Sequence, residues 1–481
     1  MKKMRRIMVA APKSGSGKTT ITCVLLQSLK NNGMQVVSYK CGPDYIDPMF
    51  HERVLGIPAK NLDTFFTGEE QTRELFLKNR TDEEFVVLEG VMGLFDGLGG
   101  TREEGSSYHL AKVTKTPIML VVDAKGMGRS VIPMIAGFLA YDTEQLIRGV
   151  LLNRMSGAYY DRIRPLIEEE LQIKVFGYFP ERKDMVLESR HLGLVLPNER
   201  KDIQKKLQNA AQEFVKTVSL EKICQTAEQA EALAGGSDRK AGISSGTAYD
   251  TETTQGWKTC CMEMDRAGKK DAPVIAVARD EAFCFYYEDN LRLLQEYGAR
   301  LDFFSPLHDQ ALPERCHALL LGGGYPELYA EELSRNLQMR KAIKQAVSQG
   351  MPVVAECGGF MYLHSAIRDR EGTEHPMAGV LTGVCADTGK LVRFGYMELE
   401  EKQSFFLPRG EHIRGHEFHY FDSTDNGEDC LARKPVTERS YSCMIEGENY
   451  CLGFPHLYYP SNPSFAKAFV EKAAKYQKGT E

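Results

Sequence analysis

A short apolar run at 7–11 (IMVAA) opens directly into Pro12-Lys13-Ser14-Gly15-Ser16-Gly17-Lys18-Thr19-Thr20. Behind that loop, Ile21, Val24, Leu25 and Leu29 recur on one helical face. This order constrains the chain more than any other feature. A buried strand that breaks into a glycine loop and restarts as an amphipathic helix is the first half of a right-handed βαβ unit, whose next strand is parallel. Further runs at 35–39, 85–88, 117–122 and 149–152 are apolar on both faces, as strands covered by helices on both sides must be. The segment to about residue 225 is therefore expected to be an α/β domain on a parallel sheet.

The loop carries its own chemistry. Small residues at Gly15 and Gly17 let backbone N–H groups face phosphate oxygens. Lys18 neutralises phosphate charge, and the Thr19 hydroxyl is a ligand type for Mg²⁺. Thr20 opens the helix, whose positive end adds to the site. The usual first glycine of such loops is Pro12 here. A partner acid is expected at the end of another strand. Glu89 follows the run at 85–88 and precedes a glycine-rich stretch that ends at Asp96 and Gly97. Ligands of open α/β sheets sit at that end, so Glu89 is a candidate metal ligand or catalytic acid, and Asp96 a second acid. Lys40, Asp44 and Asp47 lie in the loop after the run at 35–39. They offer one cation and two carboxylates to a transferring phosphoryl group, with Asp47 a further metal candidate. Turn formation at Gly42-Pro43 and Asp47-Pro48 is the plainer use of both aspartates.

Between 226 and 272 the periodic apolar pattern fails, and the segment reads as a linker. Pattern returns with strands at 274–278, 301–304, 318–321 and 352–355, and helices at 289–297 and 331–348. The second domain is expected over 273–476. Its fourth strand ends at Glu356-Cys357-Gly358-Gly359, followed by an apolar helix. That is the logic of a nucleophile elbow, with a helix N-terminus expected to lower the thiol pKa. Gly322-Gly323-Gly324 offers backbone N–H groups for an oxyanion. His456 offers a base, brought to Cys357 in space and not in sequence. Arg393 and Arg414 are candidates for binding substrate carboxylates. The stretch Gly415-His416-Glu417-Phe418-His419 lacks zinc-protease spacing, and strand alternation divides its side chains between two faces.

Composition limits the function classes. The chain has 60 Lys and Arg against 66 Asp and Glu, a net charge of −6, which argues against a broad nucleic-acid surface. No apolar run reaches the roughly 18–20 residues that cross a bilayer. The apolar part of the N-terminal stretch is too short for a secretory signal. Twelve cysteines without a CxxC pair suit reduced thiols and a cytoplasmic enzyme with no membrane partner.

The two halves do different work. One activates a group with a nucleotide phosphate, and the other is built to split an amide. Together they suggest amide synthesis, in which a carboxylate becomes an acyl phosphate and ammonia from glutamine displaces phosphate. At this level the sequence resembles the cobyrinate a,c-diamide synthase family over nearly its whole length outside the linker. The resemblance rests on PKSGSGKTT (12–20), YKCGPDYIDPMFH (39–51), EGVMGLFDG (89–97), SRHLGL (189–194), ARDEAFCFYYEDN (278–290), GGGYPE (322–327), AECGGFMYL (355–363) and RGHEFHY (414–420). It implies a dethiobiotin-synthetase-like first domain and a class I glutamine amidotransferase-like second domain. It further implies amidation of the a and c acetates of a cobalt corrinoid, with ATP, L-glutamine and Mg²⁺, in cobalamin biosynthesis, and a homodimer is compatible with it. In this mapping Cys357 is the nucleophile and His456 its base. Thr19 and Glu89 are metal ligands, Lys18 binds phosphate, and Asp44, Asp47 and Asp96 line the carboxylate–phosphate site. The glutamate that many class I enzymes carry two residues after the histidine is Tyr458 here. Related readings are amidation of hydrogenobyrinate, of a cobyric acid precursor or of a nickel tetrapyrrole. From a different class comes a partitioning-type P-loop switch without glutaminase activity.

Overall fold

The computed structural model describes residues 4–78, 84–182, 197–233, 271–437 and 439–480. The chain divides into two compact units between Ile243 and Ser244. In the first, strands β1 (Arg5–Ala10), β2 (Val36–Cys41), β3 (Ala59–Leu62), β4 (Phe85–Glu89), β5 (Ile118–Asp123), β6 (Ile147–Asn153) and β7 (Lys174–Phe179) make one sheet. Its order is β3-β2-β4-β1-β5-β6-β7, and every pairing is parallel. The strands expected from apolar runs are the sheet's interior. The two that the runs did not announce, β3 and β7, are its edges; β7 has a single antiparallel bridge, Gly177 to Val218, on its outer flank, and AKNL and KVFGYF carry mixed character. The helix Lys18–Asn31 buries Ile21, Val24, Leu25 and Leu29, the face read from their spacing.

The sheet reverses direction of growth at β1 and β4. The chain leaves β1, crosses β4 and returns as β2 on its far side. The carboxyl ends of β1, β2 and β4 are thus adjacent, which is where an open α/β sheet forms its ligand crevice. Register puts Glu89 beside Val9 on one flank and beside Lys40 on the other.

The first unit extends beyond the expected boundary at 225. The helix Leu220–Glu228 is capped by Ser219, whose Oγ accepts from Lys222 N. Ala227, Ala230 and Leu233 are buried. The fully buried Arg6 guanidinium ties this segment to the sheet through the carbonyls of Thr114, Lys115 and Glu231. The rest of the expected linker, 234–270, and the SRHLGL motif at 189–194 lie outside the described residues.

The second unit has a six-stranded sheet in the order Arg300–Phe304, Val274–Ala278, Ala318–Leu321, Val353–Glu356, Tyr450–Gly453, Ile445–Gly447. All pairings are parallel except the last. The helix expected over 331–348 is two, Ala330–Arg335 and Leu337–Ser348. Asn336 breaks it: its Oδ1 caps Met339 N while its Nδ2 donates to Pro306 O and Asp309 O. An amide that ties down a neighbouring loop competes with helix continuation. The unit also holds a five-stranded sheet of Ser440–Cys443, Cys430–Arg433, Arg393–Glu401, His412–His419 and His456–Leu457, antiparallel throughout. No apolar run announces it, because one face is open. Phe394 is 65% and Phe418 51% exposed.

Candidate active sites

The first centre forms where the loops after β1, β2 and β4 meet. Gly15 and Gly17 have φ of +75° and +93°, a region that favours glycine. A Cβ on Gly17 would collide with the Asn153 side chain. Asn153, at the end of β6, donates to Ser16 O at 2.8 Å. Arg154 donates to Gly15 O at 2.8 Å while its guanidinium also grips Asp123. The loop is therefore pinned from β5 and β6 before any ligand arrives, which is pre-organisation of its N–H groups. The sequence reading had no place for Asn153 and Arg154. Their position after a buried strand is the same signal that marked Glu89.

Thr19, Glu89, Lys40, Asp47 and His51 form one chain of contacts, while Asp44, Asp96 and Lys18 bond to loop backbone. Thr19 Oγ1 donates to Glu89 Oε1 at 2.6 Å. Lys40 Nζ lies 2.9 Å from the same oxygen and 2.5 Å from Asp47 Oδ2. Asp44 turns the loop, its Oδ1 accepting from Ile46 N at 2.7 Å. Asp96 Oδ2 accepts from Gly93 N at 2.9 Å. Lys18 Nζ donates to the carbonyls of Lys13 and Met92. Thr20 occupies the first turn of the helix. His51 completes the set: its Nδ1 pairs with Ser38 Oγ at 2.9 Å and its Nε2 lies 3.6 Å from Glu89 Oε2. His51 was inside a quoted motif but had no assigned role.

Burial sets the protonation of this centre. It pushes Glu89 up to about 7, with Asp47 adding repulsion. It brings Lys18 down to about 8, with Lys40 adding repulsion, and His51 down to about 4. Lys40 also loses solvation, yet Asp47 and Glu89 outweigh that loss and hold it charged. For Asp47 the burial cost is likewise outweighed, mainly by Lys40, and its pKa falls. Asp44 rises through burial and the Asp47 charge. The arrangement is one fixed cation, Lys40, between two carboxylates, with Lys18 free to change state near neutral pH. Thr19 and Glu89 present two hard oxygens, and Glu89 Oε2 accepts no hydrogen bond, so the donor set fits Mg²⁺. Asp47, the third metal candidate, is held by Lys40.

The second centre is built on Cys357. The residue has φ 47° and ψ −104°, a strained conformation for any side chain but glycine. The turn is held by Cys357 N donating to Gly453 O and by Met361 N returning to Cys357 O. The Gly322–Gly324 loop packs tightly here. A Cβ on Gly358 would crowd Gly324 N and Pro326, one on Gly359 would strike Leu321 O, and one on Gly323 would strike the His456 ring. The loop is buttressed by the segment 280–286. Gly323–Gly324 pairs with Phe283–Phe285, Asp280 accepts from Ala282 N and Phe283 N, and Tyr286 Oη accepts from Gly322 N at 2.8 Å. This is the structural work of the ARDEAFCFYY motif.

His456 is placed from both sides. His416 is its direct cross-strand partner and stacks on it with centroids 4.9 Å apart. Tyr287 Oη meets His416 Nδ1 at 3.1 Å. Asn290 clamps the following backbone by donating to Leu457 O and accepting from Tyr459 N. Glu356, immediately before the thiol, accepts from Leu457 N and from Tyr459 Oη, so one buried carboxyl spans the residues next to Cys357 and His456. Tyr458, where a triad acid is usual, gives its hydroxyl to Asp289 at 3.0 Å and takes no carboxylate role.

The expectation of a lowered thiol pKa is corrected. Cys357 is 7% exposed, and burial, then Glu327, raises its pKa, while Gly358 N–H favours the thiolate only in part. Burial also brings His456 down to about 3, with His419 adding repulsion. Burial thus favours the neutral thiol at Cys357 and the neutral imidazole at His456. Glu327, itself raised to about 7 by burial and Asp387, was quoted in GGGYPE without a role. The two arginines are engaged elsewhere. Arg393 lies over Tyr441 at 3.8 Å and 3.7 Å from buried Glu417, and Arg414 pairs with Glu398 at 2.8 Å. No helix among the described residues is long and apolar enough to cross a membrane.

Known proteins match this division. Residues 7–195 match the CobQ/CobB/MinD/ParA nucleotide binding domain, and residues 274–450 the CobB/CobQ-like glutamine amidotransferase domain. Cobyrinate a,c-diamide synthase of Caldanaerobacter subterraneus is 37% identical over 476 residues, covering 98% of this chain and 99% of that one. Proteins of the same name from Listeria innocua and Thermoplasma volcanium are each 36% identical, covering 96% and 100% of this chain and 98% and 99% of theirs. A nucleotide-binding sheet and an amidotransferase unit in this order, matched end to end by such relatives, place the chain in the cobyrinate a,c-diamide synthase family of glutamine-hydrolysing ligases.

Proposed function

We propose that the chain amidates the a and c acetate carboxylates of cobyrinate, consuming one ATP and one glutamine for each amide. The observation that carries this reading is the pairing, within one polypeptide, of a strained Cys357 elbow against a glycine loop and His456 with a Lys40–Asp47–Glu89 phosphoryl site. At the second centre the Cys357 sulfur attacks the glutamine amide as its proton passes to His456. The resulting imidazolium protonates the departing ammonia, and water then hydrolyses the thioester to glutamate. A thiol and an imidazole that are neutral at rest suit this coupled transfer, since neither must first be charged in a buried site. Backbone N–H groups around Gly323 and Gly358 face the developing oxyanion.

At the first centre Lys18 and the loop N–H groups bind the ATP phosphates. The substrate carboxylate attacks the γ-phosphorus, ADP departs, and ammonia displaces phosphate from the acyl phosphate. Mg²⁺ held by Thr19 and Glu89 would supply charge neutralisation at the phosphates. Lys40 stays charged beside the transferring group, and Asp47 keeps it oriented.

The Lys18 state gives ATP binding a pH dependence. In the free enzyme its pKa is about 8, and phosphate beside it raises that value. Between the two values, binding takes up a proton. ATP affinity should fall by up to roughly tenfold per pH unit above pH 8, read by calorimetry in buffers of different ionisation enthalpy. A flat affinity from pH 7 to 9.5 would remove Lys18 from the phosphates. At the other centre, Gly323→Ala drives a methyl into the His456 ring. Glutaminase kcat should drop about 100-fold, the cost of roughly 1 Å of misplacement, while amidation with ammonia persists.

The reading is tested by mass spectrometry of products from cobyrinate and from its metal-free analogue. Two hydroxyl-to-amine exchanges on cobyrinate are expected. Glutamate release with neither corrinoid amidated would move the chain to a different substrate.

A further inference from the structure

A buried cluster in the second unit lies outside both reactions. Glu401 ends the strand Arg393–Glu401 and faces Cys430 in the antiparallel sheet. Glu446 faces Cys451 at the edge of the parallel sheet. The Cys430 sulfur and one carboxylate oxygen each from Glu401 and Glu446 lie within 4.8 Å of one another. The three residues are 3%, 1% and 6% exposed. Glu446 Oε1 accepts from Cys451 Sγ at 3.0 Å, whereas Glu446 Oε2 is buried and accepts no hydrogen bond.

The surroundings orient these groups. Glu401 accepts from the backbone N–H groups of Gln403, Phe406 and Leu407 at 3.1, 3.4 and 3.3 Å. Asp429 accepts from Glu446 N at 2.8 Å, fixing the strand that carries the second carboxylate. Two carboxylates and a thiol buried together repel one another unless protons or a cation intervene. Burial, then Glu401, raises the Glu446 carboxyl to about 8, so a proton relieves the repulsion at neutral pH until a cation displaces it, and the Glu446 oxygen that accepts no hydrogen bond is open to that cation. A sulfur ligand disfavours Mg²⁺ and Ca²⁺, which take oxygen, and suits Zn²⁺ at about 2.3 Å to sulfur and 2.0–2.2 Å to carboxylate oxygen.

We propose that Glu401, Cys430 and Glu446 form a structural site for a divalent, thiol-binding cation, zinc by ligand chemistry, that clasps the parallel sheet of the second unit to its antiparallel sheet. Binding releases the Cys430 proton, so two carboxylates and a thiolate against a dication leave one net negative charge in place of at most two. Cys451 remains a thiol that donates to Glu446, as the outer partners of metal ligands do.

The test uses the full chain carrying Cys357→Ala, so that the reactive thiol contributes no metal signal. The protein is stripped with chelator and titrated with Zn²⁺, and with Co²⁺ as the spectroscopic probe. One equivalent of each metal is expected, with thiolate-to-cobalt charge-transfer absorption. Cys430→Ser should abolish that absorption. Cys451→Ser, which touches only the outer partner, should weaken Zn²⁺ binding roughly 10–100-fold, and Glu446→Gln by more. Glu446→Gln keeps side-chain shape and answers the question if the serine variant does not fold. No stoichiometric binding, or cobalt absorption unchanged in both Cys430→Ser and Glu446→Gln, overturns the proposal.

Discussion

Replacing Cys357 by alanine abolishes glutamine-dependent amidation, with an expected loss of about 10³-fold or more, the scale for removal of a covalent nucleophile. Amidation supplied with free ammonia continues. The reason lies in the separation of chemistry. Cys357, the Gly322–Gly324 loop and His456 are packed together through Gly358 and Gly323, and none of the residues proposed to bind phosphate is among them. Alanine removes the sulfur and keeps a small side chain at a strained φ of 47°, so the elbow is retained. Glutamate release and product formation are measured side by side with each nitrogen source. A folded variant that also loses the ammonia reaction would show that the thiol serves the synthetase step, contrary to this division.

Glu89→Gln has the opposite signature. It removes one charge from a fully buried centre in which Lys40 and Thr19 both bond to Glu89 Oε1. Lys40 then keeps Asp47 as its nearest counter-charge, and the site loses the anionic oxygen proposed to hold Mg²⁺. Amidation should fall about 10²–10³-fold with either nitrogen source, the range for loss of one electrostatic contact to a transition state. Glutamine hydrolysis should survive. Thermal unfolding serves as the control, because an unbalanced buried Lys40 also costs stability. Product formation near the wild-type rate would take Glu89 out of the phosphoryl site.

Much of the first unit was legible because its interior strands are apolar on both faces and its loops open with glycine, proline and charged residues. Glu89 and Lys40 could be found without coordinates, since each follows such a strand. The pairing of Lys40 with Asp47 and Glu89 could not, because it depends on β2 and β4 being neighbours, and strand order is not written in local pattern. The edges β3 and β7 were silent because AKNL mixes in Lys60 and Asn61 and KVFGYF opens on Lys174 and contains Gly177, although both strands are largely buried. In the second unit the elbow was legible from strand, cysteine and small residues. Its electrostatics were not. A short helix behind Cys357 argues for a lowered pKa, but burial and Glu327 act more strongly, and burial is a tertiary property. The antiparallel sheet was missed because its alternation is diluted by exposed aromatics on the open face. His416 stands in a run whose spacing argues against a metal site and points to no other role. Its real neighbour, His456, is 40 positions away in sequence and directly opposite in the sheet.

The proposed acyl phosphate route requires that the substrate carboxylate be phosphorylated before nitrogen reaches it. It is tested by running the reaction on cobyrinate labelled with ¹⁸O in its carboxylates. Inorganic phosphate should carry one ¹⁸O for each amide formed, because the oxygen that attacks the γ-phosphorus leaves with it. Phosphate free of label alongside amidated product would contradict it.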